Sequence, residues 1–444
     1  MRFLRGLHPT QLVALAFALA IVVGGLLLYL PLSTAGPGNG SFLTAFFTST
    51  SAVCVTGLVV VDTPSYYSHF GQVVILGLIQ IGGFGIMTLT SLLALLVARR
   101  LGLRSRIVAQ TERAGLALGD LRRVILGVAA LSFIFEAAAA SVIGLRLGLT
   151  YDYPLGSAVY QGIFHAVSAF NNAGFALYRD NLIRFVTDGW VSLAVCFAII
   201  AGGLGFPVWF ELRRRPLSPR RWSVHTKVTL AMTFALLAFG TIAVLGFEWS
   251  NAATLGPLST PGKLLAAFFQ GTVPRTAGFN SVDYADMRQE SLLVTDMLMF
   301  VGTGSAATGG GIKVTTFAVL ALMVYAELRG ETTVNAFHRR IPPTAQRQAL
   351  TVAFVALNAV VVCTLVLMAV SPFPFYRTLF EAISAFGTVG LSTGITPDLP
   401  SSGKIVLILL MYLGRVGPQT LGAALVLRER ERLFRYPEER PLIG

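Results

Sequence analysis

The stretch Thr388-Val389-Gly390-Leu391-Ser392 is a short polar strip between two apolar runs, one over residues 378–386 and one that begins near Ile405. A polar segment in this position is unusual in an apolar chain, and the sequence repeats it. Three similar strips come earlier: Val55-Thr56-Gly57-Leu58, Asn171-Asn172-Ala173-Gly174-Phe175 and Arg275-Thr276-Ala277-Gly278-Phe279. Successive glycines are 117, 104 and 112 residues apart, and each is followed by Leu or Phe. The chain therefore contains four copies of one unit.

The strips have the layout of four re-entrant loops that line one pore. Glycine adopts backbone angles that other residues avoid, so an extended strip can aim successive carbonyl groups at a common axis. Such carbonyls replace the hydration shell of a cation, and irregular backbone at membrane depth is tolerated where it lines a water-filled cavity. The candidate filter residues are Val55, Thr56, Gly57, Asn172, Ala173, Gly174, Thr276, Ala277, Gly278, Thr388, Val389 and Gly390.

The composition places the chain among integral membrane proteins. Of its 444 residues, 54% are apolar and only 12% are charged, and the mean hydropathy is +0.71, which is far from the balance of a soluble domain. Cys54, Cys196 and Cys363 are dispersed among apolar residues, so the sequence predicts neither a disulfide framework nor a metal site. We interpret them as small buried apolar side chains.

The net charge of +13 is a signal of membrane topology rather than of nucleic-acid binding. Of the 34 Lys and Arg residues, 24 lie in five places: near the N-terminus and within 98–123, 211–227, 327–347 and 428–444. These are alternate connections between apolar spans, so the positive-inside rule places them and both termini in the cytoplasm. Anionic membrane lipid adds to this preference. The loops that carry the strips are then extracellular.

Four tandem repeats divide the chain: 1–100, 101–215, 216–340 and 341–444, the last ending in a cytoplasmic tail. Each repeat contains a span, a short pore helix, a strip and a second span. The predicted spans are 11–30, 70–97, 124–144, 188–210, 226–247, 291–325, 349–370 and 404–427, and the predicted pore helices are 41–53, 157–170, 262–272 and 375–386. The first span is long enough to cross a membrane, so we do not interpret it as a removable signal. We predict an all-α integral membrane fold of eight transmembrane helices around a pseudo-fourfold pore.

The second span of the third repeat is too long for one crossing and is rich in glycine at its centre. A glycine inside a helix costs about 1 kcal/mol relative to alanine, so residues 302–313 are predicted to form an intramembrane loop. The alternatives are a kinked helix and a surface linker. This loop contains Gly302, Thr303, Gly304, Ser305, Thr308, Gly309, Gly310, Gly311 and Lys313. Lys313 is either a positive charge in the closed pore or an interface residue.

One arginine occupies a position that is glycine in two other repeats. Gly414-Arg415-Val416-Gly417 aligns with Gly82-Gly83-Phe84-Gly85 and with Gly202-Gly203-Leu204-Gly205. A buried guanidinium is costly and rarely faces lipid, and below a cation filter it would repel cations. Arg415 is thus a candidate for a positive charge below the filter. The alternatives are an arginine that snorkels to the interface and one that pairs with a carboxylate.

Two interpretations are possible for each of several acidic residues and for the C-terminal tail. Glu136 lies within a predicted span, where it is either a functional carboxylate or a hydrogen-bonding partner between helices. Four acidic residues follow the strips, and they either concentrate cations at the outer mouth or act as solvated loop acids and caps: Asp62, Asp283, Asp286 and Asp398. The tail from Arg428 to Gly444 is either a docking segment or a solvated helix end.

The four strips, the glycine-rich loop that ends in Gly309-Gly310-Gly311-Ile312-Lys313 and the lone Arg415 together resemble the Trk/Ktr/HKT superfamily of potassium transporters. The resemblance covers nearly the whole chain. Because the chain starts directly with repeat one, it is most similar to the KtrB branch of membrane subunits. All four strips carry glycine, which resembles the potassium-selective pattern, whereas plant relatives that favour sodium have serine at the first position.

This resemblance implies potassium uptake across the bacterial plasma (inner) membrane, often promoted by sodium, with potassium bound at the filter residues. It implies a homodimer with one pore per subunit and a cytoplasmic ring of KtrA-type regulator subunits. Nucleotide is then expected on the regulator, and this chain is expected to hold no cofactor. The resemblance also implies that loop 302–313 acts as a gate and that Arg415 helps to close it.

Two other function classes fit the sequence less well than a pore. An alternating-access secondary transporter of monovalent cations also uses broken helices, but it is typically built from inverted repeats, whereas these repeats are parallel. An enzyme is disfavoured because the sequence has no nucleophile–base set and no phosphate-binding glycine motif. Each strip keeps one glycine of the Thr-Val-Gly-Tyr-Gly signature of potassium channels. We therefore expect fewer ion sites and looser selectivity than in those channels.

Overall fold

The computed structural model describes residues 9–36, 40–100 and 121–427. Within these ranges the chain is mostly helical, and the helices follow the order predicted for each repeat. The N-terminal arginines, most of the basic segment 98–123 and the tail 428–444 lie outside the described residues. The topology predicted from their charge therefore stays a prediction.

Each repeat begins with a long helix and continues with a short one. Repeat one contains α1 (Pro9–Tyr29), α2 (Phe42–Val53) and α3 (His69–Arg100). Repeat two contains α4 (Leu121–Thr150), α5 (Leu155–Phe170), α6 (Gly189–Leu204) and α7 (Phe206–Arg214). Repeat three contains α8 (Val224–Glu248), α9 (Thr260–Thr272), α10 (Gln289–Phe300) and α11 (Val314–Leu328). Repeat four contains α12 (Pro343–Val370), α13 (Phe375–Gly387) and α14 (Ser401–Leu427).

Short elements connect these helices. The strands β1 (Asn335–Ala336) and β2 (Arg339–Arg340) form an antiparallel hairpin between repeats three and four. The single helical turns are Pro31–Ser33, Thr63–Tyr66, Ile183–Phe185, Pro219–Arg221 and Tyr284–Asp286. The cysteines are free, with Cys54 and Cys196 buried and Cys363 partly buried.

Four helices among the described residues are long and apolar enough to cross a membrane: Gln11–Tyr29, Ile125–Thr150, Val224–Glu248 and Pro343–Val370. They are the first helices of the four repeats. The short helices α2, α5, α9 and α13 have 12, 16, 13 and 13 residues, and a crossing needs about 20. They are nevertheless largely buried toward their C-terminal ends. Each repeat thus sends one short helix into the interior of the protein, where it ends at a strip.

The predicted break in repeat three is present. Helix α10 ends at Phe300 and α11 begins at Val314, and the segment between them is not helical. Nearly all of this segment is buried, which rules out both the kinked helix and the surface linker. A parallel bridge between Val301 and Ile312 closes its base.

The predicted span over 188–210 is not one straight helix, because it consists of α6 and α7. The chain bends by 93° between α6 and α7. Gly205 separates the two helices with φ +84° and ψ 155°, a backbone conformation that is essentially restricted to glycine. The bend brings Phe206 N–H to within 3.3 Å of the Ala306 carbonyl oxygen. Helix α6 therefore ends where it meets loop 302–313.

Gly205→Ala is expected to destabilise the protein. A methyl group at this residue would lie 2.6 Å from the Ser305 carbonyl oxygen, and the backbone conformation is strained for alanine by about 1–3 kcal/mol. The measurement is thermal unfolding of the purified protein in detergent. Gly189→Ala in the same helix α6 is the control, because no atom lies within 4 Å of the added methyl group. Equal Tm values for the two variants would contradict this account of the bend.

Candidate functional site

The four strips share one backbone conformation that is rare outside glycine. Each strip contains three of the candidate filter residues, of which the third is the glycine. The first filter residue and the glycine have positive φ, and the filter residue between them does not. The φ values are 56° and 92° at Val55 and Gly57, 60° and 70° at Asn172 and Gly174, 64° and 68° at Thr276 and Gly278, and 49° and 91° at Thr388 and Gly390. Because the sign of φ alternates along the strip, successive carbonyl groups can point in the same direction. The predicted carbonyl alignment thus has a matching backbone pattern in all four repeats.

The strips meet in a closed ring. A methyl group placed on Gly57 would lie 2.3 Å from the Ala173 carbonyl oxygen, and one on Gly174 would lie 2.7 Å from the Gly278 Cα atom. One on Gly278 would lie 2.6 Å from the Val389 carbonyl oxygen, and one on Gly390 would lie 2.1 Å from the Thr56 carbonyl oxygen. We call Gly57, Gly174, Gly278 and Gly390 the glycine ring. Its four members contact one another in chain order and leave no room for a side chain.

Hydrogen bonds fold each strip back against its own short helix. The amide of the middle strip residue donates to a carbonyl oxygen at the end of that helix. These bonds are Thr56 N–H to Ser51 O at 2.7 Å, Ala173 N–H to Ser168 O at 2.7 Å, Ala277 N–H to Val273 O at 3.0 Å and Val389 N–H to Ser384 O at 2.8 Å. Within the described residues, no donor bonds to a carbonyl oxygen of the twelve strip residues. Buried carbonyl groups are normally paired, so these acceptors set the strips apart from the rest of the described backbone.

The short helices direct their C-terminal ends at the strips. Each of the four ends within four residues of the first filter residue of its repeat. A helix C-terminus carries about half an elementary negative charge from its aligned peptide dipoles. Four such ends around one ring create a negative potential that favours a cation.

Loop 302–313 lies directly against the beginning of the strips. Gly310 N–H donates to the Thr388 hydroxyl at 3.0 Å, and a methyl group on Gly309 would lie 1.9 Å from the Thr276 hydroxyl oxygen. Glycine-rich sequence is needed here because the loop fits between two strips without space for side chains. The loop therefore sits next to the strips on the side away from the glycine ring.

Neighbouring repeats hold the loop in place through the backbone. Gly304 N–H donates to Gly203 O at 2.9 Å, Thr308 N–H to Gly202 O at 3.3 Å and Gly311 N–H to Gly414 O at 3.3 Å. The internal bonds are Gly302 N–H to Ile312 O at 2.8 Å, Val314 N–H to Thr303 O at 3.1 Å and one between the hydroxyls of Ser305 and Thr315 at 2.8 Å. Every predicted gate residue is therefore part of this packed loop or touches it.

Arg415 ties the loop to repeat one. Its side chain is completely buried, and it donates to the Thr308 carbonyl oxygen and, at 2.9 Å, to the Gly82 carbonyl oxygen. It neither snorkels to an interface nor pairs with a carboxylate among the described residues. Burying a guanidinium without a counter-ion is costly. The two hydrogen bonds partly offset this cost and hold the loop against repeat one.

Three glycines on the second helices support the alignment that singles out Arg415. A methyl group on Gly82, Gly202 or Gly414 would lie 2.1, 1.8 or 1.8 Å from the carbonyl oxygen of Val53, Phe170 or Phe386. Each of these oxygens belongs to the end of the short helix of the same repeat. The three glycines are thus equivalent, and Arg415 occupies the place of the next glycine in repeats one and two.

Lys313 contributes a second buried positive charge. It is 9% exposed, and its ammonium group donates to the carbonyl oxygens of Gly309 and Gly310. Its burial favours the interpretation of Lys313 as a positive charge beside the strips over that of an interface residue. Two cationic side chains, Lys313 and Arg415, stand on the side of the strips that the loop covers.

Glu136 lies behind the second strip. It accepts hydrogen bonds from the amides of Gln80 and Asn171, both at 3.1 Å. Asn171 comes directly before the filter residue Asn172 and terminates α5. The described contacts therefore support the interpretation of Glu136 as a hydrogen-bonding partner between helices.

The acidic residues after the strips do not converge on the ring. Asp62 forms an ion pair with Arg179 at 3.3 Å, and Asp283 caps a turn by accepting from Ala285 N–H at 2.9 Å. Asp286 ends that turn, and Asp398 is exposed. The contacts of Asp62 and Asp283 support their interpretation as loop acids and caps.

The structure is that of a helical protein with long apolar helices and a ring of four strips, whose carbonyl oxygens accept no hydrogen bond from the described residues. The family described as TrkH, cation transport protein, matches residues 21–436. This chain therefore belongs to the TrkH family, which is a family of transport proteins and not of enzymes. The match confirms the resemblance to the Trk/Ktr/HKT superfamily.

Individual relatives agree with this assignment. The Ktr system potassium uptake protein B of Bacillus subtilis is 40% identical over 436 residues, which cover 98% of this chain and 97% of that protein. The potassium/sodium uptake protein NtpJ of Enterococcus hirae is 37% identical over 450 residues, covering 100% of this chain and 99% of that protein. The crystal structure of the potassium transporter TrkH from Vibrio parahaemolyticus matches 95% of this chain and 84% of its own, with a TM-score of 0.74 and 20% identity. The sequence matches confirm the KtrB-type assignment, and the structural match confirms an all-helical membrane fold.

Arg415→Gln is expected to loosen loop 302–313. The change removes charge-assisted hydrogen bonds worth about 1.5–3 kcal/mol each, so amide exchange in the loop should become at least about tenfold faster. The measurement is hydrogen–deuterium exchange of the purified protein. Arg347→Gln is the control, because Arg347 is exposed on α12 and its loss removes the same charge. Unchanged exchange in Arg415→Gln would show that Arg415 does not hold the loop.

Proposed function

We propose that this chain carries potassium ions across the bacterial plasma membrane, in the direction of uptake, through the centre of the glycine ring. The observation that carries the proposal is the closed ring of four strips with one shared backbone conformation and unbonded carbonyls. A ring of backbone carbonyls replaces the hydration shell of a potassium ion. Two relatives whose names state potassium uptake are at least 37% identical to this chain over nearly its full length.

The strips act as the selectivity filter. Carbonyl groups of the twelve filter residues supply oxygen ligands. The partial negative charges of the four helix C-termini further offset the cost of removing the ion from water. Only one glycine per strip is present, and the flanking residues differ between repeats. The resulting sites are fewer and less uniform than in a tetrameric potassium channel, which gives looser selectivity. The same strip conformation in all four repeats supports a pore built from parallel repeats over alternating access.

Loop 302–313 is the gate in this proposal. It packs against the strips, and Arg415 and Lys313 place two positive charges beside it. A dehydrated cation that leaves the filter on this side meets both the backbone of the loop and an electrostatic barrier. Conduction therefore requires the loop to move aside. For the loop to move, the hydrogen bonds that the loop and Arg415 donate to the carbonyl oxygens of Gly82, Gly202, Gly203 and Gly414 must break.

The remaining parts of the proposal concern the assembly. The chain crosses the membrane eight times around a pseudo-fourfold pore, with both termini and the basic connections in the cytoplasm. It functions as a homodimer, and a KtrA-type ring that binds nucleotide controls the gate from the cytoplasmic side. Sodium promotes uptake. The relative that belongs to a Ktr system supports a regulatory subunit, and the sodium in the name of NtpJ supports the role of sodium.

Cation flux into proteoliposomes tests the proposed function. Wild type is expected to take up potassium in preference to sodium, and Gly57→Ser is expected to lower the potassium-to-sodium ratio at least about tenfold, a difference of about 1.4 kcal/mol. Serine is strained at φ +92°, and its Cβ atom would lie 2.3 Å from the Ala173 carbonyl oxygen.

Gly394→Ser is the matched control for this experiment. Gly394 also has positive φ, at +87°, and it follows a strip, but no atom lies within 4 Å of an added Cβ atom. Its ratio should equal that of wild type. A wild type that carries neither cation would overturn the proposed function, and a Gly57→Ser ratio equal to that of wild type would remove the strip from the filter.

A further inference from the structure

The short helices of all four repeats carry a buried polar side chain at one equivalent position. The backbone bond from each strip to its helix fixes the register, because its acceptors are Ser51, Ser168, Val273 and Ser384. Three residues before each acceptor the chain has Thr48, His165, Gln270 and Glu381. All four are at most 2% exposed. Each directly follows a buried phenylalanine: Phe47, Phe164, Phe269 or Phe380.

Each of these four side chains bonds to the segment that follows the strip of its own repeat. In repeat one the Tyr67 hydroxyl donates to the Thr48 hydroxyl at 3.0 Å. In repeat two the Leu177 amide donates to Nε2 of His165 at 3.2 Å. The two bonds differ in chemistry, but both connect a short helix to the chain beyond the glycine ring.

Repeats three and four contain the same connection. The Tyr284 hydroxyl lies 2.7 Å from the side-chain amide of Gln270, which also bonds to Val282. In repeat four the Ser392 hydroxyl donates to Glu381, and the Thr396 hydroxyl donates to its second carboxylate oxygen at 2.9 Å. Glu381 is completely buried, and its described partners all lie in its own repeat.

We propose that Thr48, His165, Gln270 and Glu381 are positioning residues that fix the segment beyond each strip and thereby set the ion selectivity of the ring. We call these four residues the brace residues. The inference rests on the proposed function, because it names residues that tune the same filter without touching the ion.

The strip itself explains why a brace is needed. On one side a strip is held by the amide bond to its short helix, and in repeats one and four the ring glycine amide also donates to a serine hydroxyl of that helix, Ser51 at 3.0 Å and Ser384 at 3.1 Å. The ring glycines carry no side chain of their own, so the width of the ring also depends on how the chain after each strip is held. A buried hydrogen bond to the rigid short helix supplies this second anchor, and in a low-dielectric interior such bonds are strong and directional. Glu381 holds two hydroxyls at once, so repeat four should depend most on its brace.

Substitutions at Glu381 separate the effect of its hydrogen bonds on selectivity from the effect of its negative charge. Glu381→Gln keeps the length of the side chain, and its amide can still bond both hydroxyls, because a hydroxyl both donates and accepts. Its potassium-to-sodium uptake ratio in proteoliposomes should stay within about twofold of wild type. Glu381→Met fills a similar volume without hydrogen bonds, and its ratio should fall at least about tenfold while total cation flux is retained.

Tyrosine variants test the braces of the other repeats with a smaller disturbance. Tyr67→Phe and Tyr284→Phe remove one hydroxyl each and keep the buried ring, so each should lower the ratio about threefold. Thr378→Val is the control in α13, because the Thr378 hydroxyl is buried but bonds only to Pro374 and Phe375 at the start of its own helix. It should leave the ratio unchanged.

The outcomes distinguish this inference from the proposed function. If wild type prefers potassium and Glu381→Met does too, to the same extent, the brace is overturned while the pore stands. A Glu381→Gln ratio as low as that of Glu381→Met would show that the charge and not the brace sets selectivity, which also overturns the inference. If Glu381→Met does not fold, the tyrosine variants decide, and wild-type ratios in both would overturn it.

Discussion

The structure depends on one constraint, which is that four backbone segments must pass within contact distance of one another and keep their carbonyl oxygens unbonded. Ordinary secondary structure cannot satisfy this constraint, because helices and sheets use those carbonyls for their own hydrogen bonds. The strips satisfy it by alternating the sign of φ and by returning the middle amide to a short helix. Glycine at the point of closest approach follows directly, since a methyl group there would overlap the next strip.

The same constraint explains why the repeats are not identical. Three second helices carry a glycine against the end of their short helix, at Gly82, Gly202 and Gly414, which lets them pack closely around the strips. Repeat three instead interrupts its second helix, and the freed loop fills the space beneath the ring. Arg415 and the bend at Gly205 are adjustments of the neighbouring repeats to that loop. Sequence symmetry is therefore broken where the loop packs against the strips.

Much of this arrangement could be predicted from the sequence, because glycine spacing and hydrophobic length are local signals. The short helices, the strips and the break at 302–313 follow from them. The end of α6 at Gly205 could not, since Gly202-Gly203-Leu204-Gly205 is no richer in glycine than Gly82-Gly83-Phe84-Gly85, where the helix continues. What differs is the contact with Ser305. The brace residues were missed because Thr, His, Gln and Glu share a position and a function but no chemical type. A Phe-polar pair before each strip was the available signal.

The most direct measurement of the central claim is the position of an ordered cation relative to the glycine ring. Crystals grown with rubidium, a heavier ion of similar size to potassium, would show it by anomalous scattering. The account predicts a peak on the axis of the ring, about 3 Å from carbonyl oxygens of all four strips. An ordered rubidium ion elsewhere in the membrane region, with none on this axis, would contradict the claim that the strips form the path of the ion.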